Sequence, residues 1–265
     1  MTAPALTRIT ASGVTLLGDE RRPGGVTLAF TERTGGVSMP PYASLNLGSR
    51  CGDDPAAVAE NRRRALGALG AERLLANLVE PRQVHGSDVV VVRSSEPSAL
   101  AAAREEAALG RDAVVCTCAD VPVLLCFADC VPIVLVAGGG FAVVHSGWRG
   151  TIARIGAKAL GVLCAETGAR PQDALAYVGP HILGEDYEVS HELCGRFVAE
   201  FGDGARVGER NLDLAFCVDA ALADAGVPRT SIAHAGVSTP RATERFYSYR
   251  AEAGTCGRHA ALAFM

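Results

Sequence analysis

The chain has 265 residues, of which 49% are hydrophobic and 20% are charged, a balance that excludes an intrinsically disordered protein. Its formal charge of −4 and its scattered arginines form no basic stripe, so we expect no nucleic-acid partner. The sequence has no apolar stretch of the roughly 20 residues that span a bilayer and no signal-peptide pattern in residues 1–15, so we expect a cytoplasmic protein with no membrane partner and reduced cysteines.

The first third of the chain predicts two short strands and one helix. Residues 14–17 and 26–30 are apolar and flank a turn-rich segment, which favours strands. Asp54 is a good N-cap and Pro55 fits a first helical turn, so a helix is expected from there to about residue 70. Asn61 and Arg62 fall on its apolar face and therefore need polar partners in the folded protein.

The middle third predicts the sheet. A strand is expected over residues 89–92, followed over residues 98–109 by a helix or by a non-helical segment that covers the sheet. Four apolar runs follow, over residues 113–116, 121–127, 131–136 and 141–144. Runs that are apolar at nearly every position are typical of strands covered on both faces. We therefore predict that the four runs form one central, mostly buried sheet.

The last part of the chain alternates helices and strands. Apolar residues recur at helical spacing over residues 151–166, and helices are also expected over 191–201 and 212–225. Strands are expected over 175–178, 245–249 and 259–264. This order predicts an α/β fold, with α+β as the alternative, as a single layered domain over residues 1–265 in which helices flank the sheet. We expect a monomer.

Three side chains from separate segments could form a metal site. Cys130 lies directly before the apolar run at 131–136, and His145 lies directly after the run at 141–144. His85 precedes the strand expected at 89–92. A catalytic zinc is usually held by three protein ligands from His, Cys, Asp and Glu, which leaves one position open. Each residue taken alone is more often structural, because no CxxC pair or HExxH motif is present. Only the combination favours a metal.

Several motifs in order resemble the multicopper polyphenol oxidase, or laccase-domain, family. They extend over nearly the whole chain: Gln83-Val84-His85-Gly86, Ala128-Asp129-Cys130-Val131-Pro132 and His145-Ser146-Gly147-Trp148-Arg149-Gly150, with Ser44 to Gly48, Asn61-Arg62, Tyr187-Glu188-Val189, Asn211 to Leu214, and Tyr249-Arg250 with Gly257-Arg258. The resemblance implies that His85, Cys130 and His145 are the catalytic zinc ligands. It also implies an enzyme that binds a purine nucleoside and phosphate.

The implied activity is phosphorolysis of a purine nucleoside to the free base and ribose-1-phosphate. Members of the family are also described as peptidoglycan-editing factors. The same zinc could direct hydroxide at C6 of adenine, so adenosine deaminase activity is expected beside nucleoside and methylthioadenosine phosphorylase activity. Three alternatives stay open: a hydrolase that edits peptidoglycan precursors, a non-catalytic zinc-stabilised binding protein, and a copper-dependent polyphenol oxidase.

Two features of the sequence depart from the family's pattern or name. Asp186 stands where the family usually has a Cys before the Tyr-Glu-Val motif, and Ser238-Thr239 replaces a Cys-Thr pair. Neither position is one of the three ligands. Six histidines are too few for a blue-copper site with a trinuclear copper cluster, so Zn²⁺ is preferred over Cu²⁺ as the cofactor.

Phosphate should bind near Arg149. The expected helix at 151–166 would present the Gly150 and Thr151 amides at its start, where free N–H groups and the helix dipole favour anions. Asn46 and Arg62 are a second choice for contacts with ribose or phosphate. The alternative for this pair is a structural one, in which buried hydrogen bonds join their loop to the helix.

Overall fold

The computed structural model describes residues 3–265. In this part of the chain, thirteen strands form: β1 Thr7–Ala11, β2 Val14–Gly18, β3 Thr27–Thr31, β4 Val89–Val92, β5 Ala113–Cys116, β6 Val123–Phe127, β7 Val131–Ala137, β8 Gly140–Ser146, β9 Leu175–Val178, β10 Arg206–Val207, β11 Asn211–Leu212, β12 Ile232–His234 and β13 His259–Phe264. The α-helices are α1 Pro55–Ala68, α2 Pro97–Ala108, α3 Trp148–Ile152, α4 Ile155–Thr167, α5 His191–Phe201 and α6 Leu214–Asp224.

The strands form two large sheets. The first has five antiparallel strands in the order β1-β2-β3-β13-β6. The second has six strands in the order β12-β9-β7-β8-β5-β4, antiparallel at its centre and parallel in the outer pairs β12–β9 and β4–β5. The short strands β10 and β11 form a separate two-stranded sheet. Since β6 and β7 belong to different sheets, the three residues between them join the two.

Alternation along each strand shows how the sheets pack. In β8, Phe141 and Val143 lie in the apolar cluster between the sheets, whereas Ala142 and Val144 lie in the cluster on the outer face. Helices α4 and α6 cover that outer face, and α1 covers the outer face of the five-stranded sheet. The result is a helix, two sheets and further helices in layers, because each sheet is apolar on both faces. The predicted layered α/β fold with buried sheets is confirmed.

One of the four apolar runs lies in a different sheet from the one predicted. Residues 113–116, 131–136 and 141–144 form neighbouring strands of the six-stranded sheet, but the run at 121–127 forms β6, which pairs with β13. Both sheets are buried on two faces, so an uninterrupted apolar run fits either one equally well. The assignment of residues 1–265 to a single domain stays a prediction, and Met1 and Thr2 lie outside the described residues.

The helix predicted at the start of the chain is confirmed. Asp54 caps α1 by accepting the amide of Ala56 at 3.0 Å, and Pro55 is its first residue. Asn61 is fully buried and donates to the carbonyl of Asn46 at 2.9 Å, as a polar side chain on the inner face requires. Among residues 3–265, none of the helices is long and apolar enough to cross a bilayer.

Two predicted elements near the site are wrong in detail. The single helix expected over residues 151–166 is two helices, α3 and α4, because Arg154 between them has a left-handed φ of 57° that an α-helix does not accommodate. Residues 245–249 form no strand but a loop of turns that leads towards β13. The strand was predicted because aromatic residues are common in strands. Here Phe246 and Tyr247 are aromatic because they are buried in the core, which a loop also permits.

Candidate active site

Strand register brings Cys130 and His145 together where β7 begins and β8 ends, in the middle of the six-stranded sheet. In the β7–β8 ladder, Val131 is paired with Ser146 and Pro132 with His145. Cys130 directly precedes β7, so the ladder places it beside the end of β8. The side chain of His145 follows those of Phe141 and Val143 on the face towards the other sheet, and its ring lies 5.5 Å from that of Phe127.

Asp112 holds the other side of the site together. It is completely buried immediately before β5, and Oδ1 lies 2.7 Å from His145 Nδ1. The same carboxylate accepts hydrogen bonds from the amides of Val84, His85 and Gly86 at 3.2, 3.0 and 2.7 Å. One side chain therefore orients the ring of His145, leaving Nε2 for another partner, and also holds the loop that carries His85.

The three predicted ligands meet. The available ligand atoms of His85, Cys130 and His145 all lie within 4.8 Å of one another. The two imidazole rings are edge-to-face, with centroids 4.8 Å apart. Gly147 makes room for this approach, because a Cβ there would lie 2.9 Å from His85 Cδ2 and 3.2 Å from Cys130 Sγ.

The charges in the cluster support one another. Burial raises the pKa of the Cys130 thiol, but His145 and His85 outweigh this and lower it to about 6. Burial lowers the pKa of His145, yet the Cys130 thiolate and Asp112 raise it to about 9. Burial likewise opposes ionisation of Asp112, but the hydrogen bonds from His145 and from the backbone amides lower its pKa. A thiolate is the form in which cysteine binds a metal.

This donor set fits a single zinc ion. One thiolate sulfur and two imidazole nitrogens are typical zinc ligands. Within residues 3–265 no other group of three His, Cys, Asp or Glu side chains comes together in this way. The residues present therefore do not fit a multicopper cluster, which needs many more histidines.

The cluster lies in the wall of a cavity of about 700 Å³. Apolar and aromatic side chains line much of it, including Phe127, Trp148, Ile182, Tyr187 and Leu214. Its polar lining includes four arginines, Arg50, Arg149, Arg250 and Arg258. A mostly apolar cavity with a few converging polar groups is the usual form of a small-molecule site.

The acidic groups of the lining are already paired. Glu80 forms a 2.7 Å ion pair with Arg62, and Asp129 accepts two hydrogen bonds described below. The guanidinium of Arg149, by contrast, makes no hydrogen bond or ion pair with any residue from 3 to 265, and its central carbon lies 4.2 Å from the centre of the Trp148 ring. The cavity therefore carries an excess of positive charge that favours an anionic ligand.

Asn46 and Arg62 lie beside the cavity and do not line it. The buried Asn46 amide donates to Asp53 at 2.8 Å, and its carbonyl oxygen accepts the amide of Arg258 at 2.8 Å. Arg62 Nε donates to the carbonyl of Leu47 at 3.0 Å. Both therefore hold the loop at residues 46–48 against its neighbours, while a direct contact with ribose or phosphate stays a prediction.

The expected anion seat at the Thr151 amide is wrong. The helix begins at Trp148 and not at Thr151, so the amide of Thr151 lies inside it and donates to the carbonyl of Gly147 at 2.8 Å. This amide is also buried with its side chain and has no free hydrogen to offer. Of the residues expected to hold phosphate there, Arg149 alone lines the cavity with a free donor group.

The sequence alone does not reveal the structural roles of two residues of the site, Asp112 and Gln83. Asp112 is a single acidic residue before an apolar run, a pattern that also describes an ordinary strand end, so only its burial reveals its role. Gln83 pairs with the backbone of Cys126, donating to its carbonyl at 2.7 Å and accepting its amide at 2.9 Å. It thereby joins the His85 loop to β6, a contact that the Gln-Val-His-Gly motif does not itself disclose.

Residues 27–265 match a family described as multi-copper polyphenol oxidoreductase laccase. The chain is 41% identical over 258 residues to a purine nucleoside phosphorylase of Deinococcus radiodurans, an alignment that covers 94% of this chain and 92% of the relative. It is 33% identical over 252 residues to the purine nucleoside phosphorylase YfiH of Escherichia coli, with 92% and 96% covered. The crystal structure of YlmD from Geobacillus stearothermophilus is similar with a TM-score of 0.85 and 30% identity, covering 98% of this chain and 99% of that one.

Proposed function

Because this chain belongs to the multi-copper polyphenol oxidoreductase laccase family, we propose that it is a zinc-dependent purine nucleoside phosphorylase. The reaction would convert a purine nucleoside and phosphate to the free base and ribose-1-phosphate. The observation that carries the proposal is the similarity, over nearly the full length of both chains, to proteins named purine nucleoside phosphorylase. The open cluster of His85, Cys130 and His145 beside a cationic cavity supports it.

The three residues would act as one anionic and two neutral zinc ligands. Cys130 would supply the negative charge, and His85 and His145 would bind through neutral ring nitrogens. Asp112 keeps the ring of His145 in one orientation, so that the same nitrogen always faces the cluster. Zinc, when bound, would supply a Lewis acid at the cavity wall, which also lowers the pKa of water.

Phosphate would bind at Arg149. Its guanidinium is always charged, stacks on Trp148 and has no competing carboxylate among residues 3–265. A guanidinium can donate two parallel hydrogen bonds to phosphate oxygens, which would hold the nucleophile in a fixed orientation. Arg50, Arg250 and Arg258 would add to the positive potential. Asn46 and Arg62 are proposed to support this wall of the cavity from behind.

The nucleoside would lie along the apolar and aromatic lining. Tyr187 offers a ring face, while the largely buried Ile182 and Leu214 exclude water from the same region. Exclusion of water matters because a sugar cation formed when the glycosidic bond breaks would otherwise be hydrolysed. Burial, with Cys130 and Asp129 nearby, raises the pKa of Tyr187 to about 12, so that its phenol stays a neutral hydrogen-bond donor.

Adenosine deamination and methylthioadenosine phosphorolysis are proposed as further activities of the same cavity. The observation that favours deamination is that three possible ligands meet at the cavity wall, since three protein ligands would leave a bound zinc with a position open to water. The three-ligand arrangement also disfavours a purely structural zinc, which takes four ligands. A cytoplasmic location, expected from the sequence, is proposed as well.

The decisive experiment incubates zinc-loaded protein with adenosine or inosine, with and without phosphate. Phosphate-dependent release of free base and ribose-1-phosphate is expected; release of base that does not depend on phosphate, or no release, would reject the proposal. His85→Ala should lose metal and activity together, since one ligand of three is removed. His191→Ala is the matched control, because His191 is exposed at the start of α5 and lies outside the cavity.

A further inference from the structure

Asp129 occupies a constrained position in the link between the two sheets. It lies between β6 and β7, one residue before Cys130, and its φ of 87° is in the left-handed region that few residues other than glycine adopt. It is nevertheless a buried aspartate. A residue with a side chain persists in such a conformation when the surrounding structure holds it there. The contacts of its carboxylate show what that structure is.

Both carboxylate oxygens of Asp129 accept short hydrogen bonds from distant segments. Oδ1 accepts the hydroxyl of Thr239 at 2.6 Å, and Oδ2 accepts the backbone amide of Arg250 at 2.7 Å. The backbone carbonyl of Asp129 accepts the amide of Ile182 at 2.9 Å. These partners lie 53 or more positions away in sequence, so the residue joins three loops at one point.

Two of the three loops form a wall of the cavity. Ile182 and Arg250 both line it, together with Tyr187 and Tyr249. The guanidinium carbon of Arg250 lies 5.3 Å from the centre of the Tyr187 ring. This group of four residues is called the aromatic wall below. Its position relative to the metal cluster depends on where the backbone of Arg250 is held.

The position of Cys130 has a separate cause. The ladder that pairs Val131 with Ser146 places Cys130 beside His145 without any contribution from the carboxylate of Asp129. A change in that carboxylate should therefore move the aromatic wall and leave the metal ligands in place. The two effects can be measured separately.

We infer that Asp129 is a positioning residue for the nucleoside, which holds the aromatic wall at a set distance from the metal cluster through the amide of Arg250. The inference rests on the proposed function, since it takes the cavity to be the nucleoside site. Asp129 itself need not touch the substrate. Its contribution to substrate binding is made through the aromatic wall, so a change in its carboxylate should alter KM for the nucleoside and leave the metal content unchanged.

Asp129→Asn tests this with almost no change in shape. An asparagine has one acceptor oxygen and one NH₂ donor, so only the Arg250 amide can donate to it, and the NH₂ group must donate to the Thr239 hydroxyl. The charge-assisted bond from the Arg250 amide then becomes a weaker, neutral one. Thr239→Val removes only the hydroxyl bond, whereas Thr239→Ser retains it. Asp19→Asn is the matched control, since Asp19 is another buried aspartate that accepts hydrogen bonds, from Tyr177 and Arg21, outside the cavity.

The measurements are zinc content, kcat and KM for adenosine at saturating phosphate. Asp129→Asn should raise KM about tenfold while binding one equivalent of zinc, the loss expected for one buried charge-assisted hydrogen bond. Thr239→Val should raise KM by a smaller factor, and Thr239→Ser and Asp19→Asn should keep the wild-type KM. Wild-type KM in both Asp129→Asn and Thr239→Val overturns the inference, as does loss of zinc in Asp129→Asn. If Asp129→Asn does not fold, Thr239→Val decides by the same comparison.

Failure of the proposed function gives a different pattern. If the zinc-loaded wild type releases no base, that function is rejected, and the variants are compared for their adenosine Kd by calorimetry. A Kd about tenfold weaker in Asp129→Asn supports the positioning role for a nucleoside site of another activity. An unchanged Kd, or no adenosine binding by the wild type, overturns it.

Discussion

Ser238 donates a 2.6 Å hydrogen bond from its hydroxyl to Oδ2 of Asp186, which joins the two positions where this chain departs from the family's cysteine pattern. Arg241 donates to the other oxygen, Oδ1, at 2.7 Å. Asp186 directly precedes Tyr187, which lines the cavity. The two departures are therefore one structural feature, a polar contact that holds the segment before Tyr187 against the segment at residues 238–241.

The contact between Ser238 and Asp186 should be measurable as a coupling energy. Ser238→Ala should lower the free energy of unfolding by about 1 kcal/mol, because it leaves Asp186 with one partner fewer in a partly buried position. A double-mutant cycle with Asp186→Ala, followed by urea denaturation, isolates the pairwise part. Strictly additive effects would show that the hydrogen bond contributes nothing to stability.

Asp112→Asn should weaken metal binding. The change removes the charge that favours the His145 orientation, and an asparagine cannot accept all four hydrogen bonds in the same way. Loss of such a supporting group typically weakens metal affinity about 10–100-fold. The affinity is measured by competition with a chromophoric chelator. Asp120→Asn, at an exposed aspartate paired with Arg73, should bind zinc as the wild type does, and equal affinity in both variants would deny Asp112 this role.

Gly147→Ala should disrupt the metal cluster without unfolding the chain. The φ of Gly147 is −73°, which suits any residue, so the only consequence is the added methyl group 2.9 Å from His85 and 3.2 Å from Cys130. We expect zinc content and phosphorolysis to fall at least tenfold, at an unchanged circular dichroism spectrum.

Gly161→Ala is the control for this substitution. Gly161 lies in α4, and an added Cβ would have no atom from outside the backbone of its own helix within 4 Å, so alanine should preserve activity and stabilise the helix by about 0.5–1 kcal/mol. Normal zinc binding by Gly147→Ala would contradict the prediction, because it would mean that the added methyl group does not displace His85 or Cys130 from the cluster.

Arg149→Gln should affect phosphate more than nucleoside. Removal of the unpaired guanidinium from the cavity should raise KM for phosphate about tenfold and leave KM for adenosine within about twofold of wild type. Arg93→Gln, at an exposed arginine paired with Glu166 outside the cavity, should change neither constant. A rise in KM for adenosine alone would show that phosphate does not bind at Arg149.

His259 should make the protein less stable in mild acid. Burial between the two sheets lowers the pKa of His259 to about 3, from about 6.5 in the unfolded chain. Because the folded value is the lower one, its contribution is complete above pH 6.5 and is lost as the pH falls from 6.5 towards 3.

Between pH 7 and pH 5 the loss should be about 2 kcal/mol in the free energy of unfolding. The check is urea denaturation at the two pH values for the wild type and for His259→Gln, which carries no titrating ring. The variant should be less stable at pH 7 and should lose about 2 kcal/mol less on acidification. An equal loss in both proteins would assign the acid sensitivity to other groups.

Local pattern was enough to predict most elements and three side chains that could form a metal site. Uninterrupted apolar runs indicated buried strands, Asp54 and Pro55 indicated the start of α1, and the residue types at positions 85, 130 and 145 indicated a metal, since each signal depends on neighbouring residues or on side-chain chemistry. The family resemblance implied that the three ligands belong to one site. That inference did not require knowledge of the sheets.

The remaining features depend on contacts between segments far apart in the chain. Pairing of β6 with β13 rather than with β7, the four hydrogen bonds of Asp112 and the three loops that meet at Asp129 join residues between 26 and about 140 positions apart. The break at Arg154 likewise leaves no mark in the apolar periodicity, because one left-handed residue does not interrupt it. Periodicity reports which face of an element is buried, and only the packing of the layers decides which partner it is buried against.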